Sequence, residues 1–185
     1  LYKNILKVIM PETFYKTAFM ILYISGMLVR TPFAIKVKHM KIKFSNRKIA
    51  ESFIMIPAGL GLMILPLFHI FTDWFSGFSM NLPNWLRIVG LIGFIDALFI
   101  YSWSHIDLKT NWSPLLEIKQ HQTLVTNGIY KYIRHPMYTG FWLWAIFQGI
   151  LLNNWLVEIV GILSFALMYF SRINYEEELM IREFG

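Results

Sequence analysis

Arg134, His135 and Pro136 stand side by side in YKYIRHPMYTG, Tyr130 to Gly140, and Arg172, Glu176 and Glu177 recur within RINYEEELMIREFG, Arg172 to Gly185. A proline restrains the preceding residue to extended geometry and suits the first position of a helix, so Pro136 marks a sharp entry from loop into helix. That helix opens with unpaired amides at Met137 and Tyr138. Free amides at the positive end of a helix dipole seat an anionic group, and Arg134 next door adds charge. A basic residue before an apolar helix also fits membrane topology alone. Arg172 and Glu176 are four apart, which allows a surface ion pair, although arginine ahead of glutamate is the poorer orientation. The histidines show no metal-ligand spacing, so no metal site is expected. The half fingerprint GLGLMI at Gly59 lies inside a hydrophobic segment with no strand before it and is set aside. The absence of cysteine excludes disulfides, thiolate metal sites and a catalytic cysteine.

The elements that must position these residues are apolar. Of the 185 residues, 56% are hydrophobic, 17% aromatic and only 15% charged, against roughly 25% charged in soluble domains. With a mean hydropathy of +0.50, the chain belongs to the integral-membrane class. Five apolar segments are predicted: Phe14 to Val29, ending at Arg30 and Pro32; Ile49 to Phe71, with Pro57 and Pro66 inside; Trp85 to about Ser104; Met137 to Leu152; and Trp155 to Ser171. Only Asn153 and Asn154 join the last two, which makes them an antiparallel helical hairpin. The fourth is short for a straight crossing. The expected fold is all-α, a polytopic membrane protein with about five transmembrane helices. It forms a single domain, 1–185, with N-terminal helices over 1–110 and the chemistry over 111–185. The chain opens on Leu1 rather than Met and stops within a charged segment, the pattern of a fragment, and no cleavable signal peptide is evident.

Basic residues set the orientation. Arg30, Lys36, Lys38, Lys41, Lys43, Arg47 and Lys48 form one block without an acid between them, and Lys109, Lys119, Lys131 and Arg134 fall in the later loop. The net charge of +6 is therefore a topology signal and not a nucleic-acid surface. The N-terminus is expected outside and the C-terminus in the cytoplasm, with Trp74, Trp85 and Trp155 at the outer boundary and Trp103 and Trp112 at the inner one. The polar residues of interest then collect on the cytoplasmic face. Asp96, in mid-segment, is either functional or protonated and bonded to a neighbouring helix. His69 reads as a polar anchor near the outer boundary.

The combination of LVTNGIYKYIRHPMYTG, Leu124 to Gly140, with the Arg172 to Gly185 stretch resembles the isoprenylcysteine carboxyl methyltransferase family of integral-membrane enzymes, related to phospholipid N-methyltransferases. The family pattern LV-x-x-G-x-Y-x-x-x-RHP-x-Y-x-G, followed by R-x-x-x-EE and a final FG, is met at every named position, including Gly128, Gly140, Phe184 and Gly185. The resemblance covers Asn111 to Gly185. Family members commonly continue past FG into a tyrosine-containing tail, and NWSPLLEIK is typical of microbial relatives.

The resemblance implies a cytoplasmic pocket for S-adenosylmethionine built from Glu117, Gln122, Thr123, Leu124, Val125, Tyr130, His135, Pro136, Met137, Tyr138 and Glu176, with Arg172 facing the substrate and Arg172 and Glu176 as the catalytic pair. It implies a lipophilic or lipidated acceptor entering from the bilayer, and no nucleic-acid partner. The chemistry is consistent: a sulfonium methyl is already activated and a carboxylate is already ionised, so the site must supply alignment and exclude water rather than provide a base. Arg172 could hold the acceptor carboxylate in a fork that leaves one oxygen free, and Glu176 could take the cofactor's amino group or ribose hydroxyls. A phospholipid N-methyltransferase, which needs a route for proton loss from an amine, and a membrane reductase using NADPH are the alternatives.

Overall fold

Apolar segments in a bilayer must satisfy their backbone polar groups internally, and the segments above do so as helices. The computed structural model describes residues 10–38, 40–45 and 49–185, with the side chains of 45 and 49–52 excepted. Helix α1 spans Glu12–Lys38. It does not end near Arg30 as expected: Pro32 lies inside it, and the neighbouring Thr31 hydroxyl takes the Met27 carbonyl at 2.8 Å. Helix α2 (Ile49–Gly59) runs through a π turn, Leu60–Ile64, into α3 (Leu65–Phe71) as one rod. The widened turn falls between Pro57 and Pro66, each of which removes a helical N–H. Helix α4 is Asn84–Leu108, α5 is Pro136–Leu152 and α6 is Trp155–Phe184.

The all-helical expectation needs one correction. Strand β1, Ile42–Ser45, pairs antiparallel with β2, Glu117–Lys119, in the register Ile42 to Lys119, Phe44 to Ile118 and Ser45 to Glu117. The polar–apolar alternation of Lys41-Ile42-Lys43-Phe44-Ser45 carries the strand period inside the basic block. Arg47 and Lys48 of that block lie outside the described residues.

Among the described residues, four helical stretches are long and apolar enough to cross a membrane: Glu12–Lys38, Phe53–Phe71, Asn84–Asn111 and Trp155–Phe184. The protein is an integral membrane protein. Helix α5 has 17 residues, about 26 Å at 1.5 Å per residue. It packs between α4 and α6 as the central helix, with Trp144, Ala145 and Gln148 buried.

Small residues bring α4 and α5 together, as membrane helices require. A Cβ on Gly90 would lie 2.7 Å from the Leu151 amide nitrogen, and one on Gly93 would lie 2.4 Å from the Phe147 ring. The α5–α6 turn is set by Asn153, in the left-handed conformation at φ 56°, and by Asn154, whose side chain accepts the Val157 N–H at 3.1 Å. The fully buried Gln148 accepts from the Trp144 indole at 3.2 Å and donates to the Gly61 carbonyl in the π turn at 3.3 Å. It thus satisfies part of the backbone that the π turn leaves open.

At the end of the bundle where α5 meets α6, Arg87 forks onto Glu12 at 2.6 and 3.1 Å and also donates to the Leu151 carbonyl at 3.1 Å. Its guanidinium lies 3.8 Å from the Tyr15 ring centroid. His69 is buried, with Nδ1 3.3 Å from the Asn154 amide. It is a polar group at the helix end beside the α5–α6 turn, bonded to that turn rather than exposed. Asp96 is exposed on the outward face of α4, with no hydrogen-bond partner among the described residues. The interhelical bond held open for it does not form among the described residues.

Candidate active site

The end of the bundle opposite the α5–α6 turn opens into a cavity of about 650 Å³, within the roughly 300–1,000 Å³ of small-molecule sites. One wall is the loop 122–126, a second is the first turn of α5, and a third is α6 from Phe165 to its end. The fourth comes from α1, α2 and the π turn, through Arg30, Met55, Ala58 and Leu62.

Each wall has a local cause. Strand β2 places Glu117 in the wall, where Ser113 donates its hydroxyl to Oε1 at 2.7 Å. The second oxygen of Glu117 is buried with no hydrogen-bond partner among the described residues. After β2 the chain turns through His121 at φ 62°. Gln122 uses its own side-chain oxygen to accept the Lys119 N–H at 2.9 Å, and Thr123 is held by Asn111, whose side-chain oxygen takes the Thr123 N–H at 3.1 Å. Lys119 is fully buried, its ammonium donating to the Thr110 carbonyl at 3.3 Å and to the Trp112 carbonyl. Burial lowers its pKa to about 8.

The turn Gly128–Lys131 positions Tyr130. Gly128 has φ +59°, and a Cβ there would meet Asp107 Oδ2 at 2.0 Å. The same carboxylate accepts the Ile129 N–H at 2.8 Å, so only glycine lets the turn close onto α4. Burial, reinforced by the Glu176 and Asp107 carboxylates, pushes the Tyr130 hydroxyl pKa up, which keeps it a hydrogen-bond donor.

Pro136 takes the first position of α5, and no side chain caps that helix. The amides after it lack intrahelical acceptors by helix geometry. His135 and Tyr138 stack at 5.8 Å between ring centroids. Tyr138 donates its hydroxyl to Glu176, and His135 and Arg134 reach Glu177 at 3.1 and 3.4 Å. Helix α6 is thereby latched to the entry of α5. Arg172, 6% exposed, donates from both terminal nitrogens to the Pro114 carbonyl at 3.4 Å each. Arg172 and Glu176 therefore turn to different partners.

Of the expected site residues, Glu117, Gln122, Thr123, Leu124, Val125, Tyr130, His135, Met137, Tyr138, Arg172 and Glu176 line this one cavity. Pro136 is buried behind it and shapes the wall without forming it. Two signature glycines act from outside: Gly128 as above, and Gly140, where a Cβ would lie 3.2 Å from the Ala97 carbonyl oxygen. Sequence reasoning missed Arg30 and Trp112 as wall residues, because one reads as topology and the other as an interfacial anchor. It also missed the latch on Glu177, since nothing in the spacing says which of two adjacent glutamates faces Arg134.

A bundle of apolar helices that opens at one end into a cavity with charged and apolar walls defines a membrane-embedded small-molecule site. The model of the isoprenylcysteine carboxyl methyltransferase family matches residues 88–182, and the chain belongs to that family. It is 30% identical over 126 residues to the protein-S-isoprenylcysteine O-methyltransferase of Dictyostelium discoideum, covering 66% of this chain and 52% of that protein. With the enzyme of the same name from Xenopus laevis it shares 34% over 105 residues, 55% of this chain and 36% of that protein. A solved structure of the eukaryotic intramembrane Ras methyltransferase ICMT superposes with a TM-score of 0.62 at 21% identity, covering 97% of this chain and 64% of that one. That likeness concerns the fold. The chain spans about half the length of the curated relatives it matches.

Proposed function

We propose that the protein transfers a methyl group from S-adenosylmethionine to the carboxylate of a lipophilic, isoprenylcysteine-type acceptor at the cytoplasmic face of a membrane. The observation that carries this reading is the meeting of both motif segments on one cavity with a polar end and an apolar side. The donor set fits the cofactor. The loop 122–125 and the open amides of α5 provide hydrogen-bonding backbone, while Glu117, whose second oxygen has no partner among the described residues, and Glu176 provide carboxylates for ammonium or ribose hydroxyls.

When bound, S-adenosylmethionine supplies a methyl group already activated on sulfur. The chain's own task is positional. Arg172 orients the acceptor carboxylate from α6, Tyr138 fixes the Glu176 carboxylate, and the latch of Arg134 and His135 on Glu177 keeps the two walls in register. Tyr130 stays protonated beside them as a donor. The apolar wall, Met55, Ala58 and Leu62 facing Phe165 and Met168, is the path for the lipid tail, which enters sideways between α2 and α6 without meeting water. In this reading α5 crosses as a fifth span within the bundle, the N-terminus lies outside, and residues 111–185 hold the cofactor while 1–110 form most of the frame.

The test is calorimetric binding of S-adenosylmethionine to detergent-purified protein, paired with transfer of labelled methyl to N-acetyl-S-farnesylcysteine and to phosphatidylethanolamine. Binding and turnover on the carboxylate are expected. No heat at millimolar cofactor, or turnover on the amine alone, overturns the reading.

A further inference from the structure

The basic block reads as topology, and Lys36, Lys38 and Lys41 are exposed as that role requires. Arg30 behaves differently. Three guanidinium groups line the cavity, those of Arg30, Arg134 and Arg172. Arg134 is 81% exposed and pairs with Glu177, and Arg172 donates to Pro114. Arg30 makes no hydrogen bond and no ion pair among the described residues. Instead its guanidinium lies over the Trp112 ring, 5.5 Å from the centroid.

A cation placed over a ring face is held by the π-system electrostatically, which uses none of its N–H groups in a hydrogen bond. The platform beneath is rigid. Trp112 is 5% exposed, its indole N–H reaches Met137 Sδ at 3.2 Å, and its carbonyl takes the buried Lys119 ammonium. A topology residue would extend its charge outward to the headgroups; this one is held against a buried ring on the wall of a largely apolar cavity. Such a cation has no counter-charge among the described residues, and a planar fork of donors matches a carboxylate best. Position 30 also lies outside the residues matched by the family model.

We propose that Arg30 is a binding residue that receives a ligand carboxylate inside the cavity, from the α1 side, across from Arg172 on α6. The proposal rests on the methyltransferase reading, under which two ligands carry such a group: the methyl acceptor and the amino-acid end of the cofactor.

The experiment compares wild type, Arg30→Lys and Arg30→Gln for affinity toward S-adenosylhomocysteine and its decarboxylated analogue, and for KM toward N-acetyl-S-farnesylcysteine. If the acceptor supplies the carboxylate, Arg30→Gln raises KM at least tenfold, about 1.4 kcal/mol, with cofactor affinity unchanged. If the cofactor supplies it, the same change weakens S-adenosylhomocysteine tenfold and leaves the decarboxylated analogue alone. Arg30→Lys, which keeps the topology charge and loses the fork, shows the same pattern at smaller size. A measurement on the wild type removes any dependence on how the variants fold: modification of Arg30 by phenylglyoxal, followed by peptide mass spectrometry, is slowed at least fivefold by the ligand whose carboxylate it holds. Both constants staying within twofold in folded variants, or no protection by ligands that demonstrably bind, overturns the role of Arg30 alone. Failure of wild type to bind S-adenosylhomocysteine overturns the methyltransferase reading and this proposal with it.

Discussion

Arg172→Lys separates the energetics of folding from those of the reaction. In the structure the guanidinium is 6% exposed and both terminal nitrogens lie 3.4 Å from the Pro114 carbonyl. Contacts of that length sit at the weak end of the roughly 0.5–1.5 kcal/mol assigned to a hydrogen bond. A lysine keeps the charge and can keep one such contact, so the melting temperature should fall by only a few degrees. Toward an acceptor carboxylate the loss is larger. A forked, charge-assisted pair becomes a single point contact, and forfeiting one charged hydrogen bond costs about 1.5–3 kcal/mol. The lower bound corresponds to a little more than tenfold in kcat/KM. Initial rates on N-acetyl-S-farnesylcysteine, alongside thermal unfolding in the same detergent, give both quantities. Unchanged kcat/KM with an intact melting curve would refute the role of Arg172, and equal collapse of both would show it to be a structural pin for the 112–114 stretch.

Three further outcomes are expected. Glu177→Ala removes the shared acceptor of Arg134 and His135; because the pair is exposed, affinity for S-adenosylhomocysteine should fall less than tenfold, and the salt dependence of wild-type binding should flatten. Gly90→Val places carbon within 2.7 Å of the Leu151 amide and should cost about 1–3 kcal/mol by overpacking, seen as a lower melting temperature without any change in the KM of the remaining folded enzyme. Lys119 has its pKa lowered by burial to about 8 from 10.5, so between those values the unfolded chain holds a proton that the folded one has released; stability should rise as pH climbs from 8 to 10.5. Lys119→Met should remove that rise in pH-scanned unfolding.

Much of this was legible in the sequence because a bilayer leaves few choices. Runs such as Trp85 to Ser104 have no solution but a helix, and the two-residue Asn153-Asn154 link forces a hairpin. The anion seat at the start of α5, with Arg134 beside it, was legible because Pro136 dictates where the helix opens, whereas His135 and Tyr138 as cavity residues followed from the resemblance of the two motif segments to the family. What stayed hidden depends on contacts between distant segments. Lys119 reads as one more cytoplasmic charge, yet two carbonyls of the preceding loop enclose it. The β1–β2 ladder has a visible period in KIKFS, but the basic residues that carry it already have a sufficient reading as topology. Helix α1 outlasts Pro32 because a single proline removes only one N–H from the ladder, too little to stop a helix of 27 residues.

The knot at Arg87 bears on how the chain is assembled. Glu12 precedes Arg87 by 75 residues and the Leu151 carbonyl follows it by 64. During synthesis α1 enters the membrane with its carboxylate unanswered, and the α2–α3 rod is delivered before the arginine arrives. Even then Arg87 has only part of its complement until the last turn of α5 presents a carbonyl left over by helix geometry. The knot therefore closes only after α1, α4 and α5 have all been delivered in the correct orientation. An inverted α4 would carry Arg87 to the opposite side of the membrane from Glu12, so a misinserted chain lacks this ion pair and has the unpaired groups by which quality control can recognise it.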